Sequence, residues 1–162
     1  MTLQEISDDG GIIFYTYLNS LKAKQIEENP QVSVSFLFLY TNETSNKKIT
    51  QQVRMKGRIE TMRTCCNAKI FEKQPLYAKI RTVIIAEQGV PVAWEELKKK
   101  HDRVLAKVNK GEMEFKVPKQ FVLYKIIPAR YDFYYFNENE IGDRIFFSKS
   151  EDDKWDHGHL TA

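Results

Sequence analysis

The chain has 162 residues and a mass of 19.1 kDa, the usual size of one domain. Hydrophobic residues at 42% and charged residues at 29% exclude wholesale disorder, and seven Gly with five Pro exclude collagen-like or low-complexity architecture. A net charge of +3, from 25 basic and 22 acidic residues, is too mild to imply nucleic acid, whose backbone requires a basic face.

The longest apolar stretches, 34–40 and 83–86, fall far short of the roughly 20 residues that span a bilayer, so no membrane helix is predicted. The opening Met1-Thr2-Leu3-Gln4-Glu5 carries neither a basic nor an apolar segment, and no secretory signal is expected. Two adjacent cysteines, Cys65-Cys66, cannot staple a fold, which makes a reducing, cytoplasmic compartment the default.

In chain order, the β-branched and aromatic run 12–17 reads as a strand bounded by Gly10-Gly11 and Asn19-Ser20. Ser20 suits a helix N-cap, and residues 21–29 form a helix stopped by Pro30. Val32, Val34, Phe36 and Phe38 alternate with Ser33, Ser35 and Leu37 as in a strand, and the run 32–40 is expected to be central because it needs burial. Residues 41–48 are all polar and predict an exposed hairpin loop, with the acceptor-like Asn42-Glu43-Thr44 read as a polar turn. A long strand follows over 49–61, with Gly57 a bulge or a point of close approach.

The middle is helical over 64–71, 76–86 and 93–110. The last of these carries an apolar stripe of Trp94, Leu97, His101, Val104, Leu105 and Val108, with Lys98-Lys99-Lys100 on a solvated face. Strands return at 121–127, 130–136 and 145–149, with turns at 137–139 and 151–153. The sum is a small α+β barrel in a single domain over residues 1–162.

Catalytic signatures are sparse. There is no H-E-x-x-H, C-x-x-C, G-x-S-x-G or Walker loop. His157-Gly158-His159 lacks a third ligand, so it reads as surface and no metal is expected. Cys65-Cys66, near Arg63 on a helix, reads as a pair of buried spectators. The segment 14–23 runs from strand through tight turn to helix start. Its unpaired N–H groups, positive dipole end and Lys22 together suit a phosphate, although an ordinary capped helix with a solvated Lys22 is the simpler reading of that stretch alone.

The string F-Y-T-Y-L-N-S-L-K-A-K-Q-I-E-E-N-P-Q-V-S-V-S-F, over 14–36, resembles the pyridoxine (pyridoxamine) 5′-phosphate oxidases, which show F-Y-T-N, S-R-K-A and N-P-x-V-S-L-x-F in that order. The likeness continues at Gln52-Val53 and Gly57, and resumes at Phe133, at Gly142-Asp143-Arg144 for the family's R-L-H-D-R, and over 155–162 for its closing W-K-x-x-R-L-A-P. It covers nearly the whole chain from about Asp8.

The resemblance implies an FMN-binding split β-barrel of about six antiparallel strands with peripheral helices, and a homodimer with FMN at the interface. It implies that Tyr15 and Thr16 line the flavin, that Ser20 and Lys22 serve its phosphate, and that Gln52 touches the ring. Gln88 would reach FMN from the partner subunit, Arg144 would contact the flavin, and Tyr134 would stand as an aromatic wall where the family has Trp. The aromatic run 133–136 is expected in the dimer contact.

Departures from the pattern fall on anion-binding positions. The family's first phosphate-binding Arg would precede Met1, so the first strand is expected to be shortened, and its Arg beside Lys22 is Leu21. Its substrate-phosphate Lys, Tyr, Arg and Ser align with Glu5, Ile70, Gln74 and Ala78, and its Arg and His over the pyridine ring align with Glu140 and Gly142. Carboxylates in place of cations repel an anion. The implied function is an FMN-dependent oxidoreductase acting on an unidentified small molecule other than pyridoxine phosphate, its catalytic residues unknown. The alternative is a catalytically inactive paralogue holding a flavin or another planar ligand. A purely structural role is opposed by the surviving flavin-contacting set.

Overall fold

The computed structural model describes residues 3–85, 87–137 and 140–161, apart from the side chains of Thr64 and Cys65. The elements in chain order are β1 (Leu3–Ile6), β2 (Ile12–Tyr17), α1 (Leu21–Glu28), β3 (Gln31–Thr41), β4 (Lys48–Thr61), α2 (Thr64–Glu72), α3 (Leu76–Ile84), α4 (Trp94–Asn109), β5 (Phe121–Asn137), β6 (Asp143–Lys149) and β7 (Trp155–His159). The strand order is β1-β2-β5-β4-β3, with β6 paired to β5 and β7 to β6. The chain forms two compact units, one from residues 1–29 and 60–125, the other from 30–59 and 126–162.

In the first unit β1 folds back antiparallel on β2. The turn between them is held by the Ser7 N–H donating to Gly11 O at 2.9 Å and by Gly10, whose φ of 79° suits a residue without Cβ. Asp9 accepts from Lys125 Nζ at 2.6 Å, which with the Ser7 hydroxyl and Gly11 N–H holds its carboxyl far below the ordinary carboxylate range. β2 is buried along its length except at Tyr15. A core of Ile13, Ile70, Phe71, Phe121 and Leu123 forms beneath it, with Cys66 and Tyr15 packed against its edge. Tyr17 donates to Thr82 Oγ1 at 2.9 Å inside this unit, tying β2 to α3.

In the second unit β3 and β4 pair over their full length, from Gln31↔Arg58 to Thr41↔Lys48. The loop between them turns on Asn42, whose Oδ1 accepts the N–H groups of Thr44 and Ser45, both at 3.0 Å. Gly57 is a point of close approach, as expected: a Cβ there would lie 2.1 Å from Ile127 O. β5 pairs with β6 from Tyr135↔Asp143 to Arg130↔Ser148, and β6 pairs with β7.

Several expectations are corrected. β3 lies at the end of the strand order rather than its centre, and Leu37, Phe38, Leu39 and Tyr40 are exposed. Apolar alternation requires a partner surface without specifying that it belongs to the same chain. Residues 121–127 and 130–136 belong to one continuous strand. Pro128 removes a single donor, and its fixed φ is compatible with extended backbone. The expected short first strand could not be given bounds from the sequence, because the four residues of β1 show too little alternation, and β7 was unanticipated because Trp155-Asp156-His157-Gly158-His159 is poor in strand formers. The α4 stripe is half-buried at Leu97, His101, Val104, Leu105 and Val108, while Trp94 at its start is 66% exposed. Residue 86 of the expected helix 76–86 and residues 138–139 of the expected turn lie outside the described residues.

Candidate functional site

The start of α1 is built by two hydroxyls. Ser20 Oγ accepts the Ala23 N–H at 3.2 Å as the N-cap and lies 3.1 Å from Thr16 Oγ1, both residues being buried. Lys22 sits in the first turn and is exposed, and no acidic residue shares that turn. The helix therefore presents a positive dipole end with one full charge beside it.

Tyr15, the one residue of β2 that is not buried, faces a cavity of about 380 Å³. Its ring stacks on Phe121 with centroids 4.7 Å apart, and its hydroxyl accepts from Arg81 Nη2 at 3.1 Å. Burial works against the Arg81 charge, but the hydroxyls of Tyr15 and Tyr17 outweigh it and hold the guanidinium above its ordinary pKa. Glu5, Ile70, Gln74 and Ala78, the four positions aligned with the family's substrate-phosphate residues, all line this one cavity. The Gln74 amide nitrogen is spent on Gln4 Oε1 and on Ile70 O, the latter at 3.0 Å. Lys73 and Arg81 supply the cationic side chains of the lining.

Gln88 lies elsewhere in this unit, exposed beside a cavity of about 530 Å³ lined also by Ile84, Val92 and Leu97.

In the second unit Tyr134 and Arg144 are register partners across β5 and β6. The Tyr134 ring lies over Gly142, where a Cβ would meet its hydroxyl oxygen at 2.5 Å, so the side chain missing at 142 is replaced in space by the tyrosine. Arg144 Nη2 donates to Asp132 Oδ1 at 3.1 Å, and Arg130 holds the same carboxylate through Nε at 3.0 Å and Nη2 at 3.2 Å. Asp132 is 5% exposed, and its two guanidinium partners, Arg130 foremost, keep its pKa below the ordinary value despite burial. Arg144 Nε is buried with no hydrogen-bond partner, and so is Arg54 Nε on β4. Gln52 is half-buried, two residues before Arg54 on the same face of that strand.

A planar ring edged with carbonyl acceptors fits these orphaned donors, because a buried N–H without an acceptor is costly and calls for one. Arg54 and Arg81 escaped sequence reasoning. The period-2 spacing from Gln52 pointed to Arg54, whereas only tertiary structure brings Arg81 to Tyr15. Glu140, expected to repel at the pyridine position, is paired with Lys47 at 2.9 Å. Of the C-terminal histidines, His157 stacks on Phe147 and His159 lies 2.8 Å from Asp143 Oδ1.

The model of the family described as "Pyridoxamine 5'-phosphate oxidase" matches residues 1–117. Curated relatives include the pyridoxine/pyridoxamine 5′-phosphate oxidase of Rippkaea orientalis, 28% identical over 95% of this chain and 68% of the relative. The enzyme of the same name from Aliarcobacter butzleri is 27% identical over 98% of this chain and 70% of the relative. Among solved structures, PhzG from Burkholderia lata in complex with tetrahydrophenazine-1-carboxylic acid superposes with a TM-score of 0.76 at 20% identity, covering 99% of this chain and 72% of that one. A pyridoxamine 5′-phosphate oxidase-related, FMN binding protein from Nostoc punctiforme gives 0.73 at 15% identity, covering 99% and 77%. These likenesses establish the α+β split-barrel fold expected from the sequence, with seven strands in place of about six. With the family model matched over residues 1–117 and the fold shared along the described chain, this protein belongs to the pyridoxamine 5′-phosphate oxidase family.

Proposed function

We propose that the protein is an FMN-dependent oxidoreductase whose substrate pocket has changed, so that pyridoxine 5′-phosphate is no longer its substrate. When bound, the flavin supplies the hydride chemistry. The chain's own residues bind and orient it. Lys22 and the first-turn N–H groups of α1, shaped by Thr16 and Ser20, take the phosphate. Gln52 and Arg144 serve the ring edge, Tyr134 offers an aromatic face, and Tyr15 lines the site.

The observation that carries this reading is Arg144. Its guanidinium is fixed by buried Asp132, yet it keeps one buried donor without an acceptor, at the position where the family resemblance puts the flavin. The changed pocket is supported by Ile70, Gln74 and Ala78, which bring no cation to the cavity they line. We take the working form to be a homodimer in the cytoplasm, with Gln88 approaching the flavin of the partner. Among the described residues no helix is long and apolar enough to cross a membrane.

Titration of the purified protein with FMN, followed in the visible spectrum, tests the reading. The wild type should take up FMN, and Lys22→Ala should lower the affinity about tenfold through loss of one charge-assisted contact. Turnover of pyridoxine 5′-phosphate should be negligible. Robust oxidation of that substrate would overturn the pocket assignment. Failure to take up FMN would overturn the flavin assignment and leave a paralogue that holds a different planar ligand.

A further inference from the structure

The cavity beside Tyr15 has a charge pattern of its own. Its ionisable side chains are Glu5, Lys73 and Arg81, besides the phenols of Tyr15 and Tyr77, so its formal lining charge is a single positive unit. A volume of about 380 Å³ suits one small ring with a substituent. The donors left for a ligand are limited by the hydrogen bonds already made. Gln74 has spent its amide nitrogen on Gln4 and Ile70. Arg81 meets the Tyr15 hydroxyl and the Tyr17 hydroxyl, which leaves part of a guanidinium that carries five N–H donors for a ligand. Lys73 makes no ion pair among the described residues.

We infer that this cavity binds a small planar monocarboxylate, with Arg81 as the residue that holds the carboxylate. A planar guanidinium matches a carboxylate through two parallel hydrogen bonds, and its contact with Tyr15 fixes the plane in which it presents them. Tyr15 and Tyr77 give the ring two phenol neighbours. One net positive charge balances a monoanion. A phosphate dianion would leave a negative charge uncompensated beside Glu5. The inference rests on the flavin reading for the ligand's status as substrate, while the binding event itself requires no flavin.

Benzoate is the probe, titrated by calorimetry into the protein with and without added FMN, and challenged with inorganic phosphate at constant ionic strength. Benzoate should bind and phosphate should fail to displace it. Arg81→Gln should weaken benzoate at least tenfold and Arg81→Lys should recover part of the loss. Lys73→Gln should weaken it less, through loss of a longer-range attraction. Far-UV circular dichroism confirms that each variant is folded, and Arg81 lies at an exposed position where the change leaves the core intact. Displacement by phosphate, or wild-type benzoate affinity in Arg81→Gln, would overturn the inference. FMN uptake measured on the same samples separates the two readings. Benzoate binding without FMN uptake supports the cavity and refutes the flavin reading, whereas FMN uptake without benzoate binding refutes the cavity alone.

Discussion

Asp132 organises the arginine cluster of the second unit. Its carboxylate, almost fully buried, accepts three hydrogen bonds from two guanidinium groups, and Arg130 also lies over the Phe146 ring at 4.8 Å. Arg144 is therefore held in place by Asp132, and under the proposed flavin contact its remaining donor would be presented with little loss of rotamer freedom. Asp132→Asn should leave two half-buried guanidiniums without a counter-charge and destabilise the protein by roughly 2 kcal/mol at neutral pH. Because the folded-state pKa of Asp132 is depressed below its ordinary 3.8, its stabilising contribution is complete above that value and is lost as pH falls through the folded pKa. The wild type should thus lose stability on acidification below about pH 4, and the variant should lose less over the same range. Urea melts from pH 7 to pH 2 measure both, and parallel curves would show that the carboxylate is not linked to folding. Arg144 was singled out by the motif Gly142-Asp143-Arg144, and its flavin contact is the proposal above. Asp132 was not, because a lone aspartate in an aromatic strand gains its meaning only from the hairpin register that places Arg144 within reach.

At the scale of elements, the contact between β4 and β5 shows what is fixed by one small residue. Gly57 lets Ile127 and Pro128 approach where any side chain would collide with backbone atoms that cannot rotate away. Gly57→Ala should destabilise by roughly 2–3 kcal/mol, and for a protein of this length the melting temperature should fall by about 5 °C or more. A thermal melt indistinguishable from wild type would show that the approach is looser than the geometry implies. The close approach was legible as a glycine interrupting a strand pattern. Helix boundaries were legible for similarly local reasons: Ser20 caps α1 and Pro30 ends it. What escaped was non-local. The place of β3 at the end of the sheet order depends on which strands β4 and β5 choose as neighbours, and the half-burial of the α4 stripe depends on what packs against it. Composition also hid β7, whose residues take strand form through their pairing with β6.

The whole molecule presents apolar surface that a lone protomer does not cover. Leu37, Phe38, Leu39 and Tyr40 are 60%, 49%, 69% and 45% exposed on the last strand of the order, where unpaired backbone groups add to the hazard of association. A net charge of +3 is too small to keep copies apart. Native proteins blunt such edges with charge or cover them, and from Phe36 to Tyr40 this strand has neither a charged residue nor a proline. A second copy related by a two-fold axis is the simplest cover, in keeping with the proposed homodimer. Light scattering at micromolar concentration should give the mass of a dimer. Leu37 and Leu39 share one face of β3, and both are already exposed in the protomer, so Leu37→Glu with Leu39→Glu should leave the far-UV spectrum unchanged while shifting the mass to a monomer. The same double variant should lose FMN affinity, because Gln88 is proposed to act on the flavin of the other subunit. A wild-type monomer would remove the interface from the proposal. A monomeric variant with undiminished FMN affinity would instead place the whole flavin site within one protomer.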